Sequence, residues 1–203
     1  MDFQQVVARR RMVRSFEDRP IPPHAVDRML RNAVRAPSAS NIEGWAFLVL
    51  EGKDETARFF DLTRRETYGL PELFRAPLVI VCLSSKDAYL DRYAQPDKDW
   101  TDRDESRWPV PYWDIDAGMA AMLILLTAED EGLGALFFGV GGPGSALRGA
   151  TDLSAFRAAY GIPDSHQPIG AIAVGYKATP TGETSRRPRK RRSYEAVVHR
   201  GRW

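Results

Sequence analysis

Four arginines fall within six residues near the start of the chain, Arg9-Arg10-Arg11-Met12-Val13-Arg14. Each guanidinium offers a planar fork of donors matched to phosphate and carboxylate oxygens, and its charge does not titrate away. Such a density of fixed cations suits an anion; failing one, the run is a solvated basic turn. Residues for other chemistries are sparse. The three histidines, His24, His166 and His199, show no ligand spacing, so no protein-bound metal is expected. No Gly-x-Ser-x-Gly elbow and no Walker-type phosphate loop occurs. The glycines of Gly139-Val140-Gly141-Gly142-Pro143-Gly144 lack the spacing of a dinucleotide fingerprint and read as a turn. Cys82, the one cysteine, lies in the apolar run 78–83 and reads as a small buried hydrophobe rather than a nucleophile.

Composition sets the stage for that anion. The chain has 203 residues, 43% hydrophobic and 28% charged, enough for a sizeable core. Its formal net charge of +2 is unevenly spread. Residues 1–20 carry a surplus of +2 and residues 185–203 a surplus of +7, which leaves −7 in between. An anion site is therefore expected to draw on the ends. With one cysteine there is no internal disulfide. No signal segment and no apolar run of membrane-spanning length occurs, so a cytoplasmic protein away from the membrane is expected.

The elements that must position these residues follow from capping and period. Asp2 caps a first helix with apolar face Phe3, Val6 and Val7, which delivers the arginines at its end. Pro23 opens a second, where Val26, Met29, Leu30, Ala33 and Val34 recur at helical spacing. A small polar turn, 36–44, leads to a strand at 45–50, a helix at 54–69 and a buried strand at 78–83. Residues 85–113 are polar and loop-like yet hold Tyr89, Tyr93, Trp100, Trp108, Tyr112 and Trp113. They suit either an insertion with its own small core or an active-site lid. Residues 114–131 predict a helix apolar on all sides, buried in the domain or between subunits, closed by Gly132. Strands at 133–140 and 169–176, a helix at 152–160 and an arginine-rich tail, 177–203, complete one α+β domain spanning 1–203.

Taken together, the motifs carry a resemblance. Arg10-Arg11-Met12-Val13-Arg14-Ser15-Phe16 resembles the Arg-Arg-Ser-x-Arg-x-Phe signature of the FMN-dependent nitroreductase family. Ala36-Pro37-Ser38-x-x-Asn41-x-Glu43-Gly44-Trp45 is similar to its Ala-Pro-Ser-x-x-Asn-x-Gln-Pro-Trp. The run Glu131-Gly132-Leu133-Gly134 after a long apolar helix, a glycine-rich turn and a closing Ala-Val-Gly-Tyr strand at 173–176 follow in the same order. The tail Arg191-Arg192-Ser193-Tyr194-Glu195-Ala196-Val197-Val198-His199 looks like the family's terminal Arg-Lys-Pro-Leu-Glu-Glu-Val-Val-His.

The resemblance implies a nitroreductase-like fold, a central mixed or antiparallel sheet with surrounding helices, in an intertwined homodimer with FMN at the interface. Arg10, Arg11 and Arg14, with Met12 between them, would hold the phosphate, ribityl and pyrimidine edge, and Arg191 would reach back to the phosphate. Pro37, Ser38, Ala39 and Asn41 would line the flavin ring from the other subunit, with backbone at Phe138 and Gly139 against it. The tail 177–203 would embrace the partner, and the 117–128 stretch of the long apolar helix would supply dimer core. No protein side chain need be catalytic, because the flavin carries the redox chemistry. NADH or NADPH would reduce it and an electron-poor small molecule, a nitroaromatic or quinone, would reoxidise it in ping-pong fashion. Arg14 would stabilise the reduced, anionic flavin. Glu43, Tyr89, Tyr93 and Trp108 would meet the acceptor, the aromatic ones from the 85–113 lid.

Two residues depart from the pattern. Met12 replaces a serine and removes a hydroxyl contact; Gly44 replaces a proline and is expected to loosen the turn. The zwitterion-gripping pattern of the deiodinase branch is not matched around Glu66 and Tyr68, and the Asp of the flavin-cleaving branch is absent near Arg11 and Met12. A non-catalytic FMN-binding protein of the same fold remains the alternative. A nucleic-acid role for the basic tail conflicts with its interleaved Tyr194, Ala196, Val197 and Val198, which want packing.

Overall fold

Residues 78–84 (Leu-Val-Ile-Val-Cys-Leu-Ser) are all buried, so the strand they form must be covered on both faces. In the computed structural model, which describes residues 1–63, 75–140, 153–178 and 191–203, it lies inside a four-stranded sheet. The strands are β1 (Trp45–Glu51), β2 (Leu78–Ser84), β3 (Gly134–Phe138) and β4 (Gln167–Gly175). Their order is β1-β2-β4-β3, and every pairing is antiparallel.

Alternation along β2 and β4 divides the interior into two layers. Val79, Val81, Leu83, Ala171 and Ala173 face one core with Phe59, Phe60 and Phe156. Leu78, Ile80, Cys82, Ile172 and Val174 face the other with Val26, Met29, Ile124 and Leu125. The first is roofed by α3 (Lys53–Leu62) and α6 (Leu153–Tyr160), the second by α2 (Pro23–Ala33) and α5 (Tyr112–Asp130). Phe59 centres the first core, its ring edge-on to Phe60, Phe138 and Phe156 at 5.3, 6.2 and 5.9 Å. Truncating such a buried ring to alanine costs about 3–5 kcal/mol. The α+β class is as the sequence predicts, with an antiparallel sheet rather than a mixed one.

Local chemistry sets the helix ends. Asp2 accepts the Gln5 N–H at 2.9 Å and starts α1 (Phe3–Arg9). Pro23 occupies the first position of α2. Gly132, at φ +75°, closes α5: the Leu133 N–H reaches back to Ala128 O at 2.8 Å, a reversal that needs a left-handed residue.

Two expectations are corrected. The segment 85–113 is not loop-like: Ser85 caps a helix, α4 (Lys86–Tyr93), by accepting the Ala88 N–H, and a short 3-10 turn follows at Glu105–Arg107. On α1 only Val6 is buried, leaving Phe3 and Val7 exposed. The α5 expectation, burial in the domain or between subunits, stays open: Ile115, Met119 and Met122 form an exposed apolar stripe at i, i+4 and i+7 in the single chain. The predicted helix at 54–69 ends at Leu62 among the described residues. Glu66, Tyr68, the glycines 141–144 and the basic residues 186–190 lie outside them.

Candidate functional site

The arginine run is a ribbon fastened to the sheet edge. Past α1 the chain extends, Met12 bridges Ala135 in parallel, and the Val13 N–H donates to Ala135 O at 2.9 Å. Further on, the Glu17 N–H donates to Tyr176 O at 3.0 Å and the Ala178 N–H to Ser15 O at 3.1 Å, with Phe16 buried between. Met12 earns its place structurally: its side chain packs against both cores, a role the expected serine could not fill.

The guanidiniums differ in circumstance. Arg10 Nη1 is buried with no hydrogen-bond partner among the described residues. A buried charged donor left unpaired is costly, so this atom is suited to an incoming anion. Exposed Arg11 turns Nη1 to Ala8 O and Arg10 O at 2.6 and 2.9 Å. Half-buried Arg14 donates from Nη1 to Met12 O at 3.3 Å. Arg9 is not simply solvated: its Nε lies 3.5 Å from Glu129 Oε1.

The second group is the turn after α2. Pro37 precedes Ser38, whose Oγ accepts the Glu43 N–H at 2.9 Å, and Ala39–Asn41 form a single 3-10 turn. Ser40, Asn41 and Glu43 all have left-handed backbones, φ +52°, +54° and +55°. Each costs on the order of 1 kcal/mol for a residue with a side chain, so the turn keeps its shape only because its surroundings hold it. The Ala39 N–H donates to Asp116 Oδ2 at 2.8 Å, the Ser40 hydroxyl meets that of Tyr93 at 2.9 Å, and the Ser85 N–H donates to Gly44 O at 2.7 Å. Gly44 does not loosen this turn. A Cβ there would lie 2.5 Å from Tyr89 Cε2, so glycine makes room for the ring.

The third group is aromatic. Trp108 is the hub, with ring centroids 4.5 Å from Tyr93, 5.6 Å from Trp100 and 5.9 Å from Tyr89. Ion pairs hold the surrounding segment: Arg103 to Asp87 and Asp91, Arg92 to Asp97 at 2.7 Å, and Lys86 to Glu105 at 2.5 Å. Tyr89, expected at the acceptor, is fully buried and donates its hydroxyl to Asp116 Oδ2 at 2.7 Å. Burial, reinforced by that carboxylate, pushes the phenol above its ordinary value, so it keeps its proton.

One chain joins the turn to the aromatic cluster but does not bring the arginine ribbon to either. Ala39 hangs from Asp116 near the start of α5, whereas Arg9 pairs with Glu129 at its end. Thirteen helical steps separate the two anchors, about 20 Å at 1.5 Å per step. Phe138 lies on β3, three residues beyond Ala135 and so about 10 Å from the ribbon. The turn leads into β1 at the opposite edge of the sheet, at least about 14 Å away across three strand spacings. Phe138 turns its ring into the core, and Gly139 is exposed. Arg191 is exposed, and every hydrogen bond described for 191–203 closes within that segment.

The sequence reading overlooked Asp116, Glu129 and Lys177. Glu129, its side chain only 4% exposed, takes Lys177 Nζ at 2.7 Å. The available signal was an acid at each end of an otherwise apolar helix, since a buried charge must be anchoring something. Among the described residues no cluster of three metal-ligating side chains occurs, and no helix is long and apolar enough to cross a membrane.

The model of the nitroreductase family matches residues 7–176. A Thermus thermophilus protein named NADH dehydrogenase is 26% identical over 198 residues, covering 94% of each chain. The solved structure of an FMN-dependent nitroreductase from Clostridium difficile R20291 superposes with a TM-score of 0.69 at 22% identity, covering 98% of both chains. That of NfrA1 from B. megaterium gives 0.73 at 20% identity, covering 98% of this chain and 74% of the other.

Proposed function

This chain belongs to the nitroreductase family, and from that premise we propose that it is a homodimeric, FMN-dependent oxidoreductase that oxidises NADH or NADPH and reduces an electron-poor small molecule such as a nitroaromatic or quinone. The observation that carries the reading is the buried Arg10 Nη1, without a hydrogen-bond partner among the described residues, on a ribbon of fixed cations. The residues present fit the cofactor: a dianionic phosphate wants several guanidinium donors, and the ribbon carries Arg10, Arg11 and Arg14 within five residues, with Arg10 Nη1 buried and without a hydrogen-bond partner among the described residues.

When bound, FMN supplies the hydride relay between nicotinamide and acceptor. The chain's own residues bind and orient. Arg10 and Arg11, with Arg191 from the tail, neutralise the phosphate, and Arg14 holds positive charge beside the pyrimidine edge. Backbone at Met12, Phe138 and Gly139 backs the site along β3. Pro37, Ser38, Ala39 and Asn41 come from a second copy, because in one chain they sit about 20 Å from the ribbon's anchor. Glu43, Tyr93 and Trp108, carried near that turn, face the acceptor and exclude water.

Exposed apolar residues support the dimer. Ile115, Met119 and Met122 on α5, Phe3 and Val7 on α1, and Tyr194, Val197, Val198 and Trp203 in the tail are all solvent-facing in a single chain. So much apolar surface calls for a partner. The deciding experiment is to purify the protein, record its visible spectrum, and add NADH or NADPH anaerobically. A flavin band that bleaches and returns on adding a quinone is expected. Protein that neither carries nor takes up FMN would refute the reading; bound flavin that neither nucleotide reduces would leave binding without turnover.

A further inference from the structure

We propose that Tyr89 is a positioning residue: acting through Asp116, its hydroxyl fixes the Ala39 N–H and thereby the 37–41 turn. The proposal rests on the functional reading above, in which that turn lines a cofactor held by the other copy.

A single carboxylate oxygen joins the two. Asp116 Oδ2 accepts the Tyr89 hydroxyl at 2.7 Å and the Ala39 N–H at 2.8 Å, and Asp116 is only 2% exposed. A buried carboxylate is tolerated only when donors satisfy it. Remove the phenol and the carboxylate retains one backbone donor, so water must enter or the carboxylate must move. Either change reaches Ala39 directly.

The connection is part of a stripe. Ser85, the cap of α4, and Tyr89 and Tyr93 within it stand four residues apart, the two tyrosines on one helical face. Each ties the turn at a different point: Ser85 N–H at Gly44 O, Tyr89 through Asp116 at Ala39, and Tyr93 at Ser40. The turn they hold has three left-handed residues and cannot rely on its own backbone preference. Gly44 completes the fit, since any side chain there would strike the Tyr89 ring. Because Trp108 packs on both Tyr89 and Tyr93, the aromatic cluster and the turn form one mechanical unit. An acceptor pressing on the cluster would therefore be felt at the turn.

The test uses Tyr89→Phe, which keeps the ring in the Gly44 notch and removes only the hydroxyl. Hydrogen exchange over 37–44 is followed in cofactor-stripped full-length protein, and FMN affinity by fluorescence titration. We expect the thermal midpoint to change little, exchange at Ala39 to accelerate, and FMN to bind about tenfold more weakly, the loss expected for a hydrogen bond to a charged group. Unchanged exchange together with unchanged FMN affinity would overturn the proposal. Wild-type protein that binds no FMN would refute the functional reading alone, while faster exchange at Ala39 in the variant would still uphold the positioning role. Gly44→Ala supplies the second arm by displacing the ring. Once Gly44→Ala is in place, adding Tyr89→Phe should cost nothing further in FMN affinity; additive losses would show that the two residues act independently and would sink the idea.

Discussion

Lys177, two residues past the end of β4, places its Nζ 2.7 Å from Glu129 Oε2, a carboxylate on α5 whose side chain is 4% exposed. The lysine stem also covers the ribbon: a Cβ on Gly134 would lie 2.9 Å from Lys177 Cγ and 2.8 Å from Val13 Cγ1. Lys177→Met keeps the stem and removes the charge, leaving Glu129 with the exposed Arg9 at 3.5 Å. Because Lys177 is itself 39% exposed, the loss falls below that of a fully buried pair, about 1–2 kcal/mol. That corresponds to a drop in thermal midpoint of roughly 2–8 °C. Adding Glu129→Gln should recover most of it, and a midpoint unmoved by Lys177→Met would remove the pair from the account.

The exposed stripe on α5 makes the dimer testable together with the cofactor. Met119 and Met122 are 36% and 46% exposed, so charges there are tolerated by a lone chain. If the proposed dimer supplies the 37–41 turn to its partner's site, Met119→Glu with Met122→Lys should shift sedimentation toward monomer and, in the same samples, strip FMN. Monomers that retain flavin would mean that one chain builds the whole site.

Legibility in the sequence followed the kind of force involved. β2 was readable because a strand buried on both faces must be apolar throughout, and 78–83 is. α4 was hidden by its charges: Asp87, Asp91 and Arg92 face water and blur the period, although Ser85 before Asp87 is a capping signal. α5 was readable as a helix, but composition alone cannot tell one buried all round within the domain from one that keeps an exposed apolar stripe. The ribbon announced itself through arginine density. That it lies about 20 Å from the 37–41 turn depends on how α5 spans the sheet, a tertiary distance that local pattern does not encode. Gly44 shows the same limit. As a sequence it reads as a loosened turn; only the Tyr89 ring beside it explains why no larger residue fits.

Arg10 carries the anion argument, so its removal should be felt specifically. Arg10→Leu discards a guanidinium whose Nη1 has no partner among the described residues and should cost the fold little. A lost charge-assisted hydrogen bond is worth about 1.5–3 kcal/mol, which weakens FMN roughly 10- to 100-fold. Riboflavin, which lacks the phosphate, should bind both proteins equally. Equal loss for the two ligands would move Arg10 away from the phosphate.

Alkaline pH should reveal the buried protons of Cys82 and Tyr89. Burial pushes the Cys82 thiol from 9.0 up to about 12, and burial with Asp116 raises Tyr89 above its ordinary 10.0. The unfolded chain releases these protons at ordinary values while the folded one keeps them, so stability is full below about pH 9 and falls as pH rises toward 12. Each raised group contributes up to about 1.4 kcal/mol per pH unit inside its window. Cys82→Ala adds a constant cavity cost but deletes one contribution to the slope. Urea denaturation at a series of pH values should therefore show wild type and variant converging as pH increases above 9. Parallel curves would mean that the thiol ionises in the folded protein as freely as in the unfolded chain.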